Sequence, residues 1–335
     1  MRSAFHPRLV NGPFEDPALF VPFFFEKRAL LFDLGDLHGI SSKEILKITH
    51  AFVTHTHMDH FVGFDSLLRT LLGRDKTIHL VGPSGFLRNV EGKFAGYSWN
   101  LVKNYDNRFV LSATEVHPDH SLTKVYQCNE AFSSSATAQQ APFDGTILRE
   151  PSFSVHAIHL DHSIPCLAFK VKERFHVNII KDGLKQLNMP VGPWLAKFKK
   201  ALYEEQEPEG DFEAIWKEDG KEMKRSFRLG DLARQIARTS PGQKIVYVVD
   251  AILSPENAEK IIDFARNADQ LFIEAAFLDN EADVAEKKYH LTAGQAGMLA
   301  RKAAVKAFTV FHFSPRYTHA PHLLQQEAEA AFADE

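Results

Sequence analysis

The chain has 335 residues, 44% of them hydrophobic, and a formal net charge of −4. That is enough apolar material for one large core or a core with an insertion, and it excludes a chain-wide basic field, so any RNA contact must rest on a local patch. Two cysteines, Cys128 and Cys166, exclude a disulfide framework. No apolar run approaches membrane-spanning length, and Met1-Arg-Ser-Ala-Phe-His-Pro lacks the apolar core of a signal peptide. A soluble cytoplasmic protein is the expectation.

In chain order, β-branched and aromatic runs predict strands at Arg28–Asp33, Ile48–Thr54, Thr77–Val81, Phe153–Leu160 and Cys166–Val171. Ile245–Asp250, Leu271–Ala275 and Ala307–Phe313 continue the series. The 28 phenylalanines, as in Phe23-Phe24-Phe25, read as sheet-core residues. Phe61, Phe64, Leu67, Leu68, Leu71 and Leu72 repeat at helical spacing. Ser254-Pro255 caps a second helix, and Thr292 with Gln295 makes a capping-box pattern for a third. Asn129–Gly145 is Ser, Ala and Gln rich and is read as an exposed loop. Lys172–Arg228 carries a charge run from Lys197 to Lys224 and reads as an inserted arm, with Lys217-Glu-Asp-Gly220 as its hairpin turn. Strands and helices in both halves predict a layered α/β domain over 1–335 with helices outside the sheets.

The most informative run is Thr54-His-Thr-His-Met-Asp-His60, directly after the strand ending at Val53 and Thr54. Buried His and Asp side chains are costly unless paired or coordinated, so four of them in six positions predict a metal site. His55 and His57 share a direction at a two-residue period, and Asp59 and His60 turn with the chain toward a neighbouring point. Nitrogen and oxygen ligands suit Zn²⁺, and also Mn²⁺ or Fe²⁺. Further ligands are sought among polar residues that end apolar strands: Asp250, His312 and His162. Taken singly, each also reads as a turn, cap or core residue.

The order His-x-His-x-Asp-His, a later His, a strand-end Asp and a final His resembles the metallo-β-lactamase superfamily. That resemblance implies an αββα sandwich with a binuclear metal centre at one edge. Leu160-Asp-His-Ser-Ile-Pro165, Leu187-Asn-Met-Pro-Val-Gly-Pro-Trp194, Lys217-Glu-Asp-Gly-Lys221 and Gly242-Gln-Lys-Ile-Val-Tyr-Val-Val-Asp250 resemble its ribonuclease Z branch. So do Phe272-Ile-Glu-Ala-Ala-Phe277, Tyr289-His-Leu-Thr-Ala-Gly-Gln295 and His312-Phe-Ser-Pro-Arg-Tyr317.

The resemblance implies two Zn²⁺ ions. His55, His57 and His162 would hold one, Asp59, His60 and His312 the other, with Asp250 bridging. It implies a metal-bound hydroxide as nucleophile at the centre that includes Asp59, His290 as proton donor to the leaving oxygen, and Glu274 as the residue orienting that imidazole. Asp33 would support a ligand histidine, and Ser314 and Arg316 would contact phosphate. The implied activity is removal of the 3′ trailer from precursor transfer RNA, with residues 172–228 gripping RNA in a homodimer. Lys197, Lys199 and Lys200 favour that grip, while the acidic stretch from Glu204 to Asp211 opposes it. The resemblance is partial at the N-terminus, where Leu9-Val-Asn-Gly-Pro-Phe stands in place of the family's Gly-Thr-Gly. Two other readings stand beside this one. The same fold could act on a small substrate, a cyclic nucleotide phosphodiester or a lactone; or the chain could be a non-catalytic RNA-binding or metal-sensing protein.

Overall fold

A computed structural model describes residues 4–24, 26–133, 137–218 and 220–334. Phe25 of the expected Phe23–Phe25 run, residues 134–136 of the 129–145 segment and Asp219 of the 217–220 turn lie outside the described residues. The chain divides into two compact units. The larger comprises Phe5–Ile147, Val155–Lys170 and Lys244–Glu335, and the smaller includes Leu148–Ser154 and Val171–Gln243.

Among the described residues, the first sheet takes eight strands in chain order, from Arg8–Leu9 to Gln139–Pro142. Its central strands Ala29–Phe32, Ile48–Phe52, Lys76–Pro83 and Phe109–Val116 run parallel. The second sheet has the order Phe308–Phe311, Gln270–Glu274, Lys244–Val248, Pro165–Glu173, Phe153–Asp161, Thr146–Arg149. Its first three strands are parallel.

The period-two alternation of a strand divides each sheet between two partners. On Ile48–Phe52 and the residue after it, Ala51 and Val53 join the core beneath the helices Phe64–Leu71 and Phe86–Ala95. Phe52 points the other way, 5.6 Å from Phe169 of the second sheet, and Phe32 lies 5.7 Å from the same ring and 6.1 Å from Tyr247. The far face of the second sheet packs on Pro255–Ala265, Ala293–Lys302 and Pro321–Ala333 through Ile261, Leu299 and Leu324. The layers are therefore helix, sheet, sheet, helix, the αββα order. Two helix starts follow the sequence signals directly. Ser254 accepts the Asn257 N–H at 3.0 Å, and Thr292 with Gln295 closes a reciprocal capping box.

Two features depart from the sequence expectation. The hairpin Phe109–Val116 with His120–Gln127 was not anticipated, because His120–Gln127 buries Tyr126 alone and offers no apolar period to read. The segment read as a loop over Asn129–Gly145 contains an edge strand, Gln139–Pro142, paired with residues His120–Thr123. All four of its residues are exposed, so hydrophobicity carries no trace of it.

Within the smaller unit, Phe175–Ile179 pairs with Ala237–Pro241, and Asp211–Glu218 forms a hairpin with Lys221–Arg228. The helices Lys181–Gln186, Trp194–Tyr203 and Leu229–Ile236 enclose a separate core around Trp194, Phe198, Phe212 and Leu232. Trp194 also donates its indole N–H to the Pro190 carbonyl at 3.0 Å. Among the described residues no helix is long and apolar enough to cross a membrane.

Candidate metal centre

Parallel strands deliver their carboxyl ends to one edge, and that edge is where the chemistry-bearing residues collect. In the first sheet, Ala29–Phe32 ends at Asp33, and Ile48–Phe52 leads into the histidine run. In the second, Lys244–Val248 leads to Asp250, Gln270–Glu274 ends on Glu274, and Phe308–Phe311 is followed by His312. After His57 a single helical turn, Met58–Phe61, carries Asp59 and His60. That turn lies against the Asp33 loop: the Leu34 N–H donates to the His60 carbonyl at 2.9 Å, and the Gly63 N–H to Leu34 at 2.7 Å. A Cβ on Gly63 would sit 2.0 Å from the Gly35 carbonyl oxygen, so only glycine permits this approach.

The Asp250 carboxylate is the hub. Its Oδ2 lies 3.3 Å from His55 Nε2, 3.2 Å from His60 Nε2 and 3.4 Å from His162 Nε2, and its Oδ1 is 3.1 Å from His312 Nδ1. Asp59 Oδ2 is 3.4 Å from His60 Nε2 and 3.3 Å from His312 Nε2. Ligand atoms fall into groups whose members all lie within 4.8 Å of one another: His55, His57, His162 and Asp250 in one, Asp59, His60 and His312 in a second. Asp250, Glu274, His290 and His312 form a third.

Supporting contacts fix which ring nitrogen faces inward. His162 presents Nδ1 to the Tyr289 carbonyl at 2.8 Å, leaving Nε2 for the centre. His60 presents Nδ1 to Asp33 at 2.9 Å. Asp33 in turn accepts the Thr54 N–H at 2.7 Å and the Tyr247 hydroxyl at 3.0 Å, all without solvent access. Glu274, fully buried, accepts the Ala251 N–H at 2.6 Å on one oxygen and faces His290 Nδ1 at 2.8 Å on the other.

Charge in this centre is strongly redistributed. Burial pushes the imidazoles of His55, His57 and His162 down, toward the neutral form that a cation requires. Burial acts the same way on His60, yet Asp250 and Asp33 outweigh it and hold that ring well above its ordinary value. For His312 burial is again opposed, by Asp250 with Asp59 and Glu274, and the ring is pushed up to about 10. Burial would raise the Asp250 and Asp59 carboxyls, but His312 and His60 hold both below the usual range. His290 is raised because Glu274, then Asp250, overcome its burial.

The carboxylates of this centre thus favour positive charge beside them, which bound cations would supply. The donor set fits a divalent metal on a further observation. His55 Nε2, His60 Nε2, Asp250 Oδ1 and His312 Nδ1 are buried polar atoms without an aligned hydrogen bond among the described residues. Buried polar atoms are ordinarily satisfied, and four orphans converging on one point are what nitrogen and oxygen ligands look like.

Beside the centre opens a cavity of about 270 Å³, lined by Asp59, His290, His312 and Ser314 among others. Ser314, expected from the sequence as a phosphate contact, is one of the residues lining this cavity. Arg316 instead pairs with Glu281, its guanidinium 5.1 Å above the Phe277 ring. Sequence reasoning missed Thr54 and Tyr247, which hold Asp33, and the segment Phe14–Asp16, which lines the cavity. Thr54 opens the histidine run and Tyr247 is the one polar tip in Ile245–Val249, so both left a faint signal. Phe14–Asp16 left none.

No family model matches the chain. It is 30% identical over 311 residues to the ribonuclease Z of Halalkalibacterium halodurans, an alignment covering 91% of this chain and 84% of that protein. It is 28% identical over 294 residues to the ribonuclease Z of Deinococcus radiodurans, covering 87% and 84%. Among solved structures, the metallo-β-lactamase fold protein YhfI from Bacillus subtilis superposes with a TM-score of 0.55 at 15% identity, over 98% of this chain and 95% of that one. The structural likeness shows the fold, and the sequence likeness, at 30% identity over nine-tenths of the chain, shows more: this chain belongs to the ribonuclease Z family.

Proposed function

We propose that this protein is an endoribonuclease that removes the 3′ trailer from precursor transfer RNA with two divalent cations, zinc by preference. Membership of the ribonuclease Z family makes it a metal-dependent phosphodiester hydrolase. The observation that carries the finer reading is Asp250, shared between two groups of ligand atoms, with His290 3.5 Å from its carboxylate. Bound cations would supply an ionised water near neutral pH and neutralise phosphate charge.

The remaining steps belong to this chain's side chains. Asp59, 43% exposed, borders the cavity and would align the attacking water. His290, 18% exposed and oriented by Glu274, would hand its proton to the leaving oxygen. Glu274, and then Asp250, raise its pKa against the pull of burial, the direction a proton donor needs. Ser314 would contact the phosphate from the cavity wall. Helix Trp194–Tyr203 buries Trp194, Leu195 and Phe198 and exposes Lys197 and Lys200, so a basic face is available to RNA. In this reading residues 172–228 grip the transfer RNA of a partner subunit in a homodimer.

The test is a paired assay of zinc-loaded protein on a precursor transfer RNA and on a chromogenic small phosphodiester. Cleavage of both, with the RNA cut before its trailer, is expected. Turnover of the small diester alone would make this a small-molecule phosphodiesterase. The double variant Lys197→Glu with Lys200→Glu should raise KM for RNA and leave the small diester untouched; equal loss on both would remove the RNA role of that helix.

A further inference from the structure

His162 reaches the candidate centre by a different route from its neighbours. His55, His57, Asp59 and His60 follow one parallel strand, and Asp250 and His312 stand just past the ends of two more. His162 sits instead on the short connection between the strands Phe153–Asp161 and Pro165–Glu173. The backbone of such a connection must find hydrogen-bond partners outside the sheet ladder.

The partner is Asn257, 1% exposed, on the first turn of the helix Pro255–Ala265. Its amide oxygen accepts the Asp161 N–H at 3.1 Å. Its amide nitrogen donates to the Asp161 carbonyl at 3.1 Å and to the Ile252 carbonyl at 2.9 Å. A donor facing the oxygen and two carbonyls facing the nitrogen leave the amide a single orientation. One backbone bond joins the same segments, from the Ile252 N–H to the Asp161 carbonyl at 3.2 Å. Asp161 immediately precedes His162, and Ile252 stands two residues past Asp250. Asn257 therefore ties together the segments that carry His162 and Asp250, whose Nε2 and Oδ2 lie 3.4 Å apart. Its helix is anchored in the core through Ile261 and Phe264, so the tie is made to a fixed platform.

The outer side of the connection is held separately. Asp161 Oδ1 accepts the Ser163 N–H at 2.9 Å, closing a turn around His162. The Tyr289 carbonyl, 2.8 Å from His162 Nδ1, fixes how the ring is turned but not where its backbone lies. Aspartate at position 257 would keep the outline of the amide and aim an oxygen at two carbonyl oxygens. Alanine would leave the Asp161 N–H and the Ile252 carbonyl without this partner.

We infer that Asn257 is a positioning residue of the metal centre: through the backbone of Asp161 and Ile252 it holds the His162 imidazole in register with Asp250. It thereby sets how tightly the group of His55, His57, His162 and Asp250 binds a cation. This rests on the metal-dependent function proposed above.

The experiment titrates the metal-free full chain with zinc against a chelating dye, for wild type, Asn257→Asp and Asn257→Ala. Cobalt absorption spectra and thermal unfolding of the metal-free proteins accompany it. Both variants should bind zinc about tenfold or more weakly, as when other groups that orient a ligand are lost. Their visible cobalt bands should shift as one imidazole leaves the ligand set. A merely structural role would lower the unfolding temperature and leave the zinc affinity and cobalt spectrum of the folded protein as in wild type, which would overturn the inference. Should neither variant fold, Asp161→Ala carries the test, because that residue is exposed and its loss loosens the same connection from outside. Zinc affinity about threefold or more below wild type is expected there, and unchanged affinity would overturn the inference. Wild-type protein that takes up neither zinc nor cobalt would sink the metal-dependent reading itself, and this inference with it.

Discussion

Two clusters of imidazoles lie past strand ends in this molecule, and they behave in opposite ways. In one, around Asp250, four buried polar atoms of His55, His60, Asp250 and His312 find no aligned partner. In the other, after the strand Phe109–Val116, both nitrogens of His117 are occupied, by Ser84 Oγ at 2.9 Å and by Glu115 at 2.9 Å. His120 stacks on that ring at 4.4 Å with planes 3° apart, and its own Nδ1 faces Asp119 at 2.7 Å. Both clusters are dense in His and acidic residues, so composition does not separate them. Satisfaction does: one set of groups completes itself, and the other is complete only with a ligand.

The sharpest way to break this comparison is Asp250→Ala. Bound metal, measured by elemental analysis, should be lost, and turnover should drop to background; full metal retention would remove Asp250 from its central place. His290→Ala should lower kcat by about 10²- to 10⁴-fold, the usual range for a positioned proton donor, with metal content intact. Unchanged turnover would dismiss His290 from the chemistry. Asp33→Asn keeps the shape beside His60 and alters what that ring leans on. Metal affinity by chelator competition should weaken by about 10- to 100-fold, as for other groups that brace a ligand histidine. The smallest effect belongs to the self-satisfied cluster. His117→Ala should cost ~1 kcal/mol of stability per lost hydrogen bond and change neither metal content nor turnover. A drop in bound metal there would erase the distinction drawn between the two regions.

Much of the candidate centre was legible from residue order, because its side chains cluster where chain direction is fixed. His55, His57, Asp59 and His60 stand within six residues, and Asp250 and His312 follow apolar runs whose parallel pairing brings their ends together. The hydrogen bonds that brace the centre were harder to read. Tyr247 reaches Asp33 across 214 positions, a contact that strand alternation permits but does not announce. Arg316 looked like a phosphate fork in sequence, yet Glu281 lies within its reach in space. The polar strands His120–Gln127 and Gln139–Pro142 escaped notice because pairing at a wet sheet edge needs no apolar pattern.

Asp33, Asp250 and His312 share a backbone property that bears on how this centre can change. Each has a positive φ, 59°, 54° and 60° respectively, a left-handed step that residues other than glycine adopt mainly when they are Asn, Asp or His. The alphabet at these three positions is thus restricted twice, once by what can hold or brace a cation and once by what can turn the chain. Glutamate could reach a metal from position 250, but it would have to take a conformation its side chain does not favour. Drift among carboxylates, easy at most surfaces, is closed to this protein at the hub of its centre.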